Sequence, residues 1–71
     1  MNYQYKAVNS GLCTIILRRE WNATVNSRPV TLFVKDGRGT GSNWLFLEDF
    51  KDWCFTNATS DALEGFPFPP P

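Results

Sequence analysis

Few side chains in this chain could do chemistry. Histidine is absent, which removes the usual base beside a serine or cysteine nucleophile, the commonest nitrogen ligand of metals, and the side chain that titrates near neutrality. Glu48, Asp49 and Asp52 lie close enough in sequence to form one acidic cluster. Carboxylates near a helix start are favoured by its dipole alone, and a magnesium site would need further ligands or a bound phosphate. Cys13 and Cys54 are widely spaced and form no C-x-x-C pair. A zinc site would need two more ligands, so the expectation is two reduced thiols packed as small hydrophobes. The segment Asp36-Gly37-Arg38-Gly39-Thr40-Gly41-Ser42 stands where a phosphate loop would stand, between a strand pattern and a helix pattern. It lacks the Gly-Lys-Ser/Thr ending, and its glycines miss the dinucleotide spacing, so it reads as a linker. The residues therefore predict no enzyme, no cofactor and no metal.

Seventy-one residues make one domain at most. The N-terminus shows no basic stretch leading into an apolar run, and no apolar segment approaches a membrane span. A cytoplasmic protein is expected, without membrane contact and without a small-molecule substrate.

Alternation dominates the first half. Tyr3, Tyr5 and Ala7 fall on one side of a strand, with Gln4, Lys6 and Val8 on the other. Asn9-Ser10-Gly11 reads as a three-residue turn, Leu12 to Val25 as a long second strand, Asn26-Ser27-Arg28-Pro29 as a second turn, and Val30 to Lys35 as a third strand. Pairing Val8 with Leu12 sets Ala7 against Cys13, Tyr5 against Ile15 and Tyr3 against Leu17. Pairing Val25 with Val30 sets Ala23 against Leu32, Trp21 against Val34 and, on the opposite face, Glu20 against Lys35. In this register Cys13, Ile15, Leu17, Trp21, Ala23 and Val25 face the core.

Beyond the glycine loop the period changes. Phe46, Leu47, Phe50, Trp53, Cys54 and Asn57 recur at helical spacing, with charged residues between them, which predicts a helix over 46–57. Residues 43–45 read as a short fourth strand or as the helix entry, and residues 60–64 as one further turn. The tail Phe66-Pro67-Phe68-Pro69-Pro70-Pro71 reads as extended and polyproline-like, with its phenylalanines folded back or offered to a groove on a partner. The expected architecture is α+β. An antiparallel meander of three strands, or four with residues 43–45, carries one C-terminal helix on one face; residues 1–65 form the domain and 66–71 the tail. Trp21, Phe50 and Trp53 are the expected centre of the core.

The net charge is zero but divided. Residues 1–38 hold six basic and two acidic side chains, and residues 39–71 hold one basic and five acidic. The helix-free face is expected to show Gln4, Lys6, Thr14, Ile16, Arg18, Glu20, Asn22, Thr24, Thr31, Phe33 and Lys35. Exposed apolar groups ringed by polar ones mark interfaces. The first expectation is thus a small non-catalytic regulator or inhibitor, binding another protein or its own copy through Phe33, Ile16, Arg18, Lys35, Asn22 and Arg28. The second is DNA binding by the same face. A three-stranded sheet backed by a C-terminal helix resembles the AP2-type and integrase arm-binding DNA modules, whose exposed sheet enters the major groove. The resemblance implies Arg18, Asn22, Arg28 and Lys35 on base edges, with Lys6 and Arg38 on phosphates. Residues 44–53 are also similar to the strand-into-helix piece of phage excisionase-like winged-helix proteins, although the preceding pattern is β where those proteins carry a recognition helix.

Overall fold

Gly11 has a φ of 62°, a conformation that side chains with a Cβ rarely adopt. It lets the chain reverse within two residues, Gly11 and Leu12, so that Ser10 lies opposite Cys13. This turn joins β1 (Asn2–Ser10) to β2 (Cys13–Trp21), and β3 (Val30–Asp36) pairs with the other side of β2. A two-residue β4 (Leu45–Phe46) leads directly into α1 (Leu47–Thr56). The computed structural model describes residues 2–22, 24–25, 27–56 and 66. It shows one antiparallel sheet in the order β3-β2-β1-β4 with the helix on one face.

The tighter turn changes the expected register. Ala7 faces Ile16 rather than Cys13, and Tyr5 faces Arg18 rather than Ile15, a slip of three positions. An odd slip exchanges the two faces of a strand. The core side of β1 is as expected, with Tyr5 and Ala7 buried, but β2 turns Thr14 and Ile16 inward. The second hairpin differs as well. β2 ends at Trp21, and β3 pairs Val30 with Arg18, Phe33 with Ile16 and Val34 with Ile15. An irregularity between Ile16 and Leu17 leaves Leu32 without an opposite residue. Lys35 consequently lies opposite Thr14; the Glu20–Lys35 pair is not formed.

The core consists of Tyr5, Ala7, Ile16, Phe50, Cys54 and Phe66, with Tyr3, Phe33, Leu45, Leu47 and Trp53 packed around it. Phe50 stacks on Tyr5 at 5.6 Å and on Trp53 at 5.9 Å between ring centroids. Phe66 meets Phe33 edge-on at 5.5 Å and Phe50 at 6.3 Å. Burying each large side chain contributes about 1.5–3 kcal/mol. The expected core therefore holds for Phe50 and Trp53. It fails for Trp21, which lies on the other face against Phe46 at 5.3 Å, and for Val25, which is exposed. The expected positions of Ala23, Asn57, residues 60–64, Phe68 and the tail prolines lie outside the described residues.

The glycine loop is tied down by the hydroxyls of Thr14 and Ser42 and by the Gly37 N–H on the Leu12 carbonyl. Thr14 Oγ1 donates to the Gly37 carbonyl at 2.8 Å and accepts from the Gly39 N–H at 2.8 Å. Ser42 then mimics a strand residue beside β1: its N–H donates to the Ala7 carbonyl and its hydroxyl accepts from the Ala7 N–H. These bonds carry the chain to the outer edge of β1, where β4 forms.

Candidate partner-binding face

The face of the sheet turned away from the helix is built in cross-strand rows. Val8, Ile15 and Val34 are in register across β1, β2 and β3, and Lys6, Leu17 and Thr31 form the next row. Phe46, Gln4 and Arg19 follow across β4, β1 and β2, and Trp21 ends the face opposite Asn2. Scattered exposed hydrophobes are ordinary on a protein surface. Here an aliphatic row crosses three strands and an aromatic pair, Trp21 and Phe46, stands at the far end, and no described element covers them. Val34 is 56% exposed and Phe46 40% exposed, with Val8, Ile15, Leu17 and Trp21 half-buried between them.

Two cations sit within this apolar field. The Arg19 guanidinium lies 4.3 Å from the centroid of the Trp44 ring, and the Lys6 ammonium is 5.8 Å from the same ring. Arg19 Nε and Nη2 both donate to Gln4 Oε1, at 2.9 and 2.7 Å. Among the described residues neither cation has a carboxylate partner; the ion pair present there joins Lys51 to Glu48 on the helix. The face thus combines an aliphatic row with an aromatic and cationic end.

The residues expected from sequence are distributed differently. Ile16 is fully buried and cannot touch a partner in this conformation, and Phe33 packs against the core, meeting Phe66. Arg18 and Lys35 share that side of the sheet, opposite Tyr5 and Thr14 respectively, and Arg18 stacks 4.4 Å from the Tyr3 ring centroid. Asn22 is exposed, but its Oδ1 accepts from Thr24 N, Thr24 Oγ1 and Val25 N, so its side chain holds the turn after β2. Arg28 is exposed in the 22–29 connection. Only Gln4, Lys6 and Thr31 of the expected bare face are found on it. Trp44, Phe46, Arg19, Leu17 and Val34 replace the rest. Trp44 and Phe46 were legible as an alternation continuing through residues 44–46; the β2 residues required the correct first turn.

Among the described residues, two clefts adjoin the sheet. One of about 330 Å³ lies where α1 begins and includes Glu48 and Asp49. The other, of about 210 Å³, includes Arg18, Arg28 and Ser27. Cys13 and Cys54 are free thiols. Burial pushes the Cys54 thiol up to about 11, the opposite of what an attacking thiolate requires. Among the described residues no group of histidine, cysteine and acidic side chains is arranged to hold a metal ion, and no helix is long and apolar enough to cross a membrane. No protein-family model matches the chain, and no curated protein or solved structure matches it significantly.

Proposed function

We propose that this chain is a small non-catalytic binding module of the cytoplasm that holds another protein against the helix-free face of its sheet and regulates or inhibits that partner by occupying its surface. The observation that carries this reading is the in-register row Val8, Ile15 and Val34, on the same face as Leu17 and the Trp21–Phe46 pair. Aliphatic rows suit the interior of a protein interface, and Arg19 and Lys6 at one end favour a partner that brings carboxylates to the rim. The same face is a poorer match to DNA. Its cations are Lys6 and Arg19, and two donors of Arg19 are already committed to Gln4; phosphate neutralisation supplies most DNA affinity.

The test compares the chain with its Val34→Arg and Phe46→Ser variants as bait. Each candidate partner is then purified and its binding remeasured, with sedimentation used to detect self-association. A partner, or a dimer, lost in both variants while the far-ultraviolet spectrum stays unchanged is the expected result. Retention of the same proteins by all three baits, or of none by any, contradicts the reading.

A further inference from the structure

Three arginines border the end of the sheet where the 22–29 connection folds back, and they are not equivalent. Ser27 closes this end: its N–H donates to the Glu20 carbonyl at 3.1 Å, and its hydroxyl accepts from the Glu20 N–H at 2.7 Å. The resulting cleft of about 210 Å³ brings together Arg18, Arg28, Ser27 and Tyr3. Arg19 borders it too, but the Arg19 guanidinium is spent on Gln4 and Trp44, on the helix-free face. Arg18 is different. Its guanidinium carbon lies over the Tyr3 ring, 4.4 Å from the centroid, a contact with the ring face that uses none of the N–H donors. Among the described residues those N–H groups meet no acceptor, and Arg28 likewise has no carboxylate partner. Glu20, the one acid bordering the cleft, is not within ion-pair distance of either.

We infer that this cleft is a phosphate-binding site, formed by the guanidinium groups of Arg18 and Arg28. Two arginine forks lining one cleft can donate to different oxygens of one tetrahedral anion, whereas a carboxylate, with two oxygens, is filled by a single fork. Arg18 is already oriented by Tyr3, so little side-chain freedom is lost when the anion enters. The phosphate can belong to a small phosphate ester or to a nucleic-acid backbone; the chemistry at the two arginines is the same. The site lies on the opposite side of the sheet from the apolar rows and does not depend on them.

The experiment follows the Nε–Hε signals of the arginines by NMR while sodium phosphate replaces sodium chloride at constant ionic strength. A parallel titration uses a short DNA duplex. Saturable shifts at Arg18 and Arg28, with the Arg38 signal unmoved, are expected. Arg28→Gln, an exposed position that leaves the fold intact, should weaken phosphate binding about tenfold, the loss of one charge-assisted contact. If the duplex competes for the same two side chains, the phosphate is that of a nucleic-acid backbone; if phosphate alone binds, it is that of a small ester. Shifts that do not saturate, that appear equally at Arg38, or that persist unchanged in Arg28→Gln overturn the inference.

Discussion

Ile16 and Phe33 face one another across β2 and β3, and both pack into the core on the helix side of the sheet. Ile16 has 0% of its surface exposed, while its chain neighbour Ile15 belongs to the opposite face. Truncating a buried isoleucine removes its transfer free energy and leaves a cavity, a loss of about 2–5 kcal/mol. Ile16→Ala should lower unfolding free energy in urea by that amount. Ile15→Ala, half-buried on the uncovered face, should cost less than half as much. Equal losses would mean that the two faces are equally packed.

Thr14 supplies the second stability prediction. It is 2% exposed, and its hydroxyl serves the Gly37 carbonyl and the Gly39 N–H at once. Thr14→Val keeps the shape and removes both bonds, leaving two backbone groups without their partner. The expected cost is about 1–3 kcal/mol. Amide exchange should accelerate at Gly39 and, through the shared loop, at Ser42. Unchanged exchange at Gly39 would show that the loop is held by other means.

Much of this arrangement was legible in the residue pattern, and the part that was not has a definable cause. The core side of β1 follows from Tyr3, Tyr5 and Ala7, and α1 (Leu47–Thr56) lies within the span that Phe50, Trp53 and Cys54 predict. The region from Leu12 to Leu17 is different, because it is apolar at both parities. Alternation there cannot choose a face, so the choice falls to the turn. Gly11 accepts a positive φ in a three-residue loop as readily as in the two-residue turn it forms. What settles the matter is non-local: the Thr14 hydroxyl under the glycine loop, and Phe66 against Phe33 from the far end of the chain. The candidate face inherited this single ambiguity. Gln4 and Lys6 were placed on the correct side because β1 was. Ile16, Phe33, Arg18 and Lys35 were not, because β2 carried β3 with it.

The two cysteines should separate cleanly in reactivity. Cys13 is half-buried beside Asp36, and Cys54 is buried in the core with its thiol raised from 9.0 to about 11 by desolvation. At pH 8 an alkylating reagent should label Cys13 first and Cys54 only on unfolding. The raised value also gives a sign for stability. Below pH 9 both the folded and the unfolded chain keep the Cys54 proton, and the contribution is complete. Between pH 9 and about 11 the unfolded chain binds fewer protons, so stability falls as pH rises. Cys54→Ala should lessen that fall, whatever its effect at neutral pH. An unchanged alkaline slope in Cys54→Ala would contradict the assignment.

The proposed partner surface depends on which side of β2 faces the helix side of the sheet, and methyl NMR reads that directly. In a chain with labelled isoleucine methyls, Ile16 should show cross-relaxation to the Phe50 ring and stay shielded from a soluble paramagnetic agent. Ile15 should show cross-relaxation to Val8 and Val34, and none to Phe50. Cross-peaks joining Ile15 to Phe50, with Ile16 relaxed by the agent, would reverse the faces and remove the proposed partner surface.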